Sequence, residues 1–175
     1  MCLGGEFTLV DQGDNRFALE DLRGRTALLF FGYTYCPDFC PTTLSRLVRV
    51  EELLDKPEDR DLALVFISVD LARDTPGVLR QYLDYFPADV VGLTGSRQAI
   101  DDVVERYDAE YTVGAAGADG SYSVDHSTSM YLLDEVGRVR YVFAHDVLPE
   151  DIAAPDHSAR AAAAISSGKT SWANT

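Results

Sequence analysis

Two cysteines separated by three residues, Cys36-Pro37-Asp38-Phe39-Cys40, follow closely on the apolar run from Ala27 to Gly32, and a histidine, His126, stands far downstream in Asp125-His126-Ser127-Thr128. Paired thiols placed where a buried strand gives way to a helix can hold a disulfide, attack one, or bind a thiophilic metal. Thiolate, not thiol, is the nucleophile and the metal ligand, so the site needs something that lowers a cysteine pKa. A helix N-terminus supplies it through unpaired amide hydrogens and a partial positive charge. The pattern places Cys36 in the loop before the helix and Cys40 at or near its first turn, with Pro37 and Pro41 stiffening the connection.

Spacing narrows the chemistry without closing it. Thioredoxin-like redox enzymes use two intervening residues, and here there are three. The extra residue still allows a disulfide, which needs α-carbons within about 4.4 to 6.8 Å, and it gives both sulfurs the slack to meet on one ion. Two thiolates plus an imidazole suit cuprous copper, a soft ion, with His126 as the available nitrogen donor. Zinc normally takes a fourth protein ligand or a water. On position alone, a single histidine in a loop before a strand is more often exposed or hydrogen-bonded than a ligand. His145 and His157 are assigned no role. Asp70, Arg73 and Asp74 read as a charge-neutralised capping group in a strand-to-helix loop, and Phe30, Phe31, Tyr33, Tyr35 and Phe39 as packing around the site. There is no glycine loop to cradle phosphate and no serine elbow of the hydrolase type.

The elements that must position these residues follow from periodicity. Phe7 to Val10 and Arg16 to Leu19 flank a turn rich in Asp, Gly and Asn and read as a hairpin. Thr26 to Phe31 and Leu62 to Val69 are continuously apolar, the mark of strands covered on both faces. Thr42 or Thr43 is expected to open a helix through Leu44, Leu47, Val48, Leu53 and Leu54, closed by Pro57. Asp74 or Thr75 should cap the next, with Pro76 in its first turn, running to Phe86. Val90 to Leu93 is a short strand, and Ser96 caps a helix carrying Ile100, Val103, Val104 and Tyr107 on one side. Tyr111 to Tyr122, with Gly114, Gly117 and Gly120, reads as a flexible excursion between short strands. Ser129 to Leu133 and Val139 to Phe143 form a second hairpin, and Leu148 to Ile152 starts a last helix that Pro155 interrupts. The expectation is α/β: a thioredoxin-like fold with an extra N-terminal β-hairpin and an inserted hairpin or loop before the His-bearing segment. One domain spans 5–152, and the Ala- and Ser-rich tail of 153–175 is expected to be poorly ordered.

Composition excludes several classes. A chain of 175 residues with 46% apolar residues and no run near the ~20 needed to span a bilayer is a single soluble domain. A net charge of -14 argues against nucleic acid or anionic membrane as partners, since both demand concentrated Lys and Arg. Three cysteines are too few for a disulfide framework, so the close pair is a working site. Cys2, followed by Leu3-Gly4-Gly5, is compatible with a lipidated cysteine, although no lipobox precedes it.

Four motifs in order, Phe7-Thr8-Leu9-Val10-Asp11-Gln12, the stretch from Gly32 through the two cysteines to Leu44, Ser68-Val69-Asp70-Leu71-Ala72-Arg73-Asp74-Thr75-Pro76, and Val124-Asp125-His126-Ser127-Thr128-Ser129-Met130, resemble the Sco/SenC family over 5–152. The resemblance implies a thioredoxin-like domain that binds copper, as Cu(I) or Cu(II), through Cys36, Cys40 and His126. It implies a role in assembling the copper A centre of cytochrome c oxidase subunit II, by delivering copper or by keeping that subunit's cysteines reduced, and the expected partner is that subunit or another copper protein. Family members are usually held to a membrane by an N-terminal helix, facing the periplasm or the mitochondrial intermembrane space, and this chain is expected to be a monomer. No such helix is in this sequence, and the expected location is the periplasm or the outer face of the inner membrane. Three functions remain open: copper metallochaperone; thiol-disulfide oxidoreductase, with Cys36 attacking and Cys40 resolving; and copper or redox sensor. A peroxidase is disfavoured because no cationic residue adjoins Cys36 in the sequence.

Overall fold

The computed structural model describes residues 3–54 and 62–154. The two apolar runs form adjacent parallel strands, β3 (Thr26–Gly32) and β4 (Leu62–Ser68), paired in register from Thr26 with Leu62 to Gly32 with Ser68. Their apolar side chains are buried on both faces, as expected of strands with helices packed above and below. Each fully buried Leu, Ile or Phe here contributes about 1.5 to 3 kcal/mol relative to an exposed one.

The hairpin β1 (Thr8–Asp11) and β2 (Arg16–Ala18) turns on Asp11, whose carboxylate accepts from the amides of Gly13 and Asn15. It adds to the sheet through β5 (Val90–Thr94), with which β1 pairs antiparallel. On the other side, β3 pairs antiparallel with β8 (Met130–Leu133), which forms a hairpin with β9 (Val139–Phe143). The turn between them depends on Gly137 at φ 83°, in the left-handed region, and on the Asp134 carboxylate accepting from Val136 and Arg138. The seven-stranded order is β2-β1-β5-β4-β3-β8-β9. The helices α1 (Phe39–Leu53), α2 (Pro76–Leu83) and α3 (Arg97–Arg106) provide the connections, and α4 (Pro149–Ile152) packs on α1. A separate two-stranded sheet joins β6 (Tyr111–Val113) to β7 (Val124–His126).

The architecture is the expected α/β sheet with its extra N-terminal hairpin, and four local details differ. A 3-10 turn at Leu19–Leu22, held by the Asp21 carboxylate on the Ala18 amide, buries Leu19 and Leu22. Helix α1 begins at Phe39, three residues before the expected threonine caps; Pro41 is tolerated because first-turn amides have no helical acceptor. Helix α2 stops at Leu83, since Phe86 precedes Pro87 and that position disfavours helix. His126 lies in a strand, opposite Tyr111, and not in a loop. Ser96 caps α3 as expected, accepting from Ala99. Cys2, Pro57, His157 and most of the expected tail lie outside the described residues. Among those described, no helix is long and apolar enough to cross a membrane.

Candidate metal centre

Strand register explains how residues so far apart in the chain meet. Phe30 pairs with Met130 in antiparallel β3 and β8, so the chain preceding Met130 runs out past the carboxyl end of β3. That is the end from which the cysteine loop emerges. His126 therefore arrives beside Cys36 and Cys40, at the carboxyl edge of the parallel strands where open α/β sheets carry their ligands. The Sγ atoms of both cysteines and a ring nitrogen of His126 all lie within 4.8 Å of one another.

Each donor is prepared by its neighbours. Cys36 precedes α1, and its sulfur accepts from the Cys40 amide at 3.5 Å. Asp38, at the N-cap, makes no side-chain capping bond. The sulfur thus takes the place of a capping oxygen and sits against the positive end of the helix. Hydrogen bonding from the Cys40 thiol pulls Cys36 well below the ordinary thiol range, with further help from the Cys40 amide, against the opposing effect of burial. Cys40 moves the other way: as the thiol donor to Cys36, and buried, it holds its proton. The pair is one poised thiolate and one reserve thiol, both free.

His126 Nδ1 lies 2.9 Å from the Ser127 carbonyl. A carbonyl only accepts, so the ring proton is on Nδ1 and the Nε2 lone pair is free; Nε2 lies 3.7 Å from Cys40 Sγ. This is the outer-shell bond that fixes the tautomer of metal-binding histidines. The Tyr33 ring packs edge-on against the imidazole at 5.7 Å. Behind it, Ser127 ties β7 to the preceding strand: its amide donates to the Glu110 carbonyl and its hydroxyl accepts from the Glu110 amide.

Two further features were not read from the sequence. Gly32 leaves room for Cys40: a Cβ there would stand 2.5 Å from its Sγ and 2.7 Å from the Phe66 ring. Asp74 does not cap α2, which Thr75 does by accepting from Val78. Instead its fully buried carboxylate accepts from the Thr34 amide and hydroxyl and from the Ser68 hydroxyl. Burial raises its pKa. The Asp74 bonds anchor the cysteine loop to the end of β4. Among the described residues the ion-pair partner of Arg73 is Asp70, at 2.5 Å. An aspartate beside a threonine cap gave no signal that separated capping from this inward role.

The aromatic ring expected around the site is only partly there. Phe30 and Phe31 lie in the core, Phe31 against Tyr107 and Tyr131. Tyr35 is 63% exposed and Phe39 47%, the latter edge-on to His145, which reaches Thr128 at 3.4 Å. His145 is not in the donor group, and among the described residues no other His, Cys, Asp or Glu joins it.

The SCO1/SenC family profile matches residues 2–159 of this chain. The SCO2-like protein of Rickettsia felis is 39% identical over 151 residues, covering 86% of this chain and 73% of that one. The structure of Bradyrhizobium japonicum ScoI with copper bound superposes with a TM-score of 0.78 at 36% identity, over 86% of this chain and 95% of that one. BsSco, described as a Sco-family cytochrome c oxidase assembly protein with a disulfide switch, shares the fold at TM-score 0.67 and 23% identity, over 87% and 90% of the two chains.

Proposed function

This chain belongs to the SCO1/SenC family, and on that footing we propose that it is a copper metallochaperone, binding one cuprous ion through Cys36, Cys40 and His126 for assembly of the copper A centre in cytochrome c oxidase subunit II. The observation that carries the reading is the convergence of two sulfurs and a tautomer-fixed imidazole within 4.8 Å. Soft thiolates with a single nitrogen select a soft, low-coordinate ion, whereas structural zinc takes four ligands. The related ScoI, which holds copper, supports that choice of metal. The extracytoplasmic face of a membrane, periplasmic in a bacterium, is the proposed site of action; there the oxidation state of the pair matters, because a disulfide and a bound metal compete for the same sulfurs. Electrostatic complementarity to a chain of charge -14 favours an acceptor with a less acidic docking face.

Anaerobic titration of the reduced chain with cuprous ion tests this. One copper per monomer is expected, with severe weakening in His126→Ala and little binding to the oxidised form. No stoichiometric binding by reduced wild type would end the reading.

A second reading is favoured by the asymmetry of the thiols: a thiol-disulfide oxidoreductase in which Cys36 attacks a partner disulfide and Cys40 resolves the mixed species. Under it, His126→Ala leaves exchange largely intact and Cys40→Ser traps the mixed disulfide. Exchange that continues unchanged in Cys40→Ser counts against it.

A further inference from the structure

Arg73 occupies a place that neither ligand chemistry nor capping explains. It follows β4 and touches all three segments that build the site. Its Nε pairs with the buried Asp70 carboxylate, and its Nη1 donates to the Tyr122 carbonyl at 3.1 Å. The Tyr122 hydroxyl closes the loop by donating to the other Asp70 oxygen at 2.7 Å. The guanidinium lies 3.7 Å from the Tyr122 ring centre, 4.5 Å from that of Tyr35 and 5.8 Å from that of Tyr33. Tyr33 and Tyr35 belong to the cysteine loop, and Tyr122 stands four residues before His126. Nη2 is buried and has no hydrogen-bond acceptor among the described residues, so aromatic faces form much of its surroundings.

We propose that Arg73 is a positioning residue for the metal site, clamping the His126-bearing segment to the cysteine loop so that the imidazole meets the two sulfurs. The physical need is plain. His126 is carried by a two-stranded sheet separate from the main one, and an isolated two-stranded unit is marginal in water. The Arg73 clamp joins it to the end of β4 through the ion pair with Asp70, the Tyr122 carbonyl that accepts from Arg73, the Tyr122 hydroxyl that donates to Asp70, and the aromatic faces beside the guanidinium. Arginine suits the place because its planar fork serves a carboxylate, a carbonyl and ring faces at once, which a lysine ammonium does not.

The inference rests on the copper reading for one of its two readouts, and the other is independent of metal. In the metal-free, reduced protein, Arg73→Met is expected to speed amide exchange in β7 and at Ser127 selectively, with Tyr122→Phe giving a smaller change of the same kind. In anaerobic competition for cuprous ion, Arg73→Met is expected to lose about 10- to 100-fold in affinity, the usual cost of removing an outer-shell partner. It should lose nothing further in a His126→Ala background. Exchange in β7 unchanged by both variants overturns the proposal, as does an equal affinity loss with and without His126. If reduced wild type binds no copper, the chaperone reading falls and the exchange measurement alone decides the role of Arg73.

Discussion

At the scale of single residues the site is defined by an inequality between two thiols of the same type. Cys36 is 7% exposed and receives hydrogen bonds at the start of α1; Cys40 is 1% exposed and packs under β3. Depression of the Cys36 pKa means that its thiolate persists as pH falls below the ordinary thiol value of about 8.5, and the raised pKa of Cys40 means that its thiol persists above it. Alkylation of the metal-free reduced protein by iodoacetamide should therefore label Cys36 first, at a rate nearly flat from pH 9 down to about pH 6. Mass spectrometry of the labelled peptides reads the selectivity. A rate that falls tenfold per unit below about pH 8.5, or equal labelling of both cysteines, would contradict this assignment. The cysteine pair and its place before a helix were legible in the sequence because type and spacing are local. The sulfur that replaces a cap on the Cys40 amide was not, because Thr42 and Thr43 offered the usual capping hydroxyls and drew the expected helix start past Phe39.

At the scale of elements, the site depends on how closely α1 approaches β3. Gly32 ends β3 and has no side chain to hold Cys40 away, so the helix start and the strand end lie in van der Waals contact. Gly32→Ala should push Cys40 outward or tilt the Phe66 ring, destabilising the fold by about 1 to 3 kcal/mol as overpacked cores do. Copper affinity should fall along with it. Urea denaturation and cuprous competition measure the two effects, and unchanged values in both would show that the contact relaxes freely. The strands and helices themselves were readable from apolar runs and 3.6-residue periodicity, since those patterns are imposed by the burial that forms them. What periodicity does not carry is register. The pairing of Phe30 with Met130 delivers His126 to the cysteines, and only the family motif around His126, not its periodicity or residue type, announced it. The inward roles of Asp74 and Arg73 were hidden likewise, since a loop between a strand and a helix uses acidic and basic residues for capping in most proteins.

At the scale of the molecule, the three donors span two sheets. Cys36 and Cys40 are fixed to the seven-stranded sheet through β3 and α1, and His126 is fixed to β6 and β7. A metal bonded to all three links the small sheet to the large one, and its binding energy becomes folding energy because the unfolded chain has no such site. With free cuprous ion at a hundred times the dissociation constant, the reduced protein should gain about 2.7 kcal/mol. For a chain of this size that corresponds to a rise in Tm of about 5 to 11 °C. The oxidised protein, its sulfurs tied to one another, should gain little. His126→Ala should gain less than wild type at the same free copper, and copper should protect amides of β6 and β7 from exchange only where His126 is present. Calorimetry under anaerobic conditions reads the first two effects and exchange the third. Equal protection of β6 and β7 in His126→Ala would mean that copper binds the sulfurs alone, and that the small sheet owes its place to protein contacts rather than to the metal.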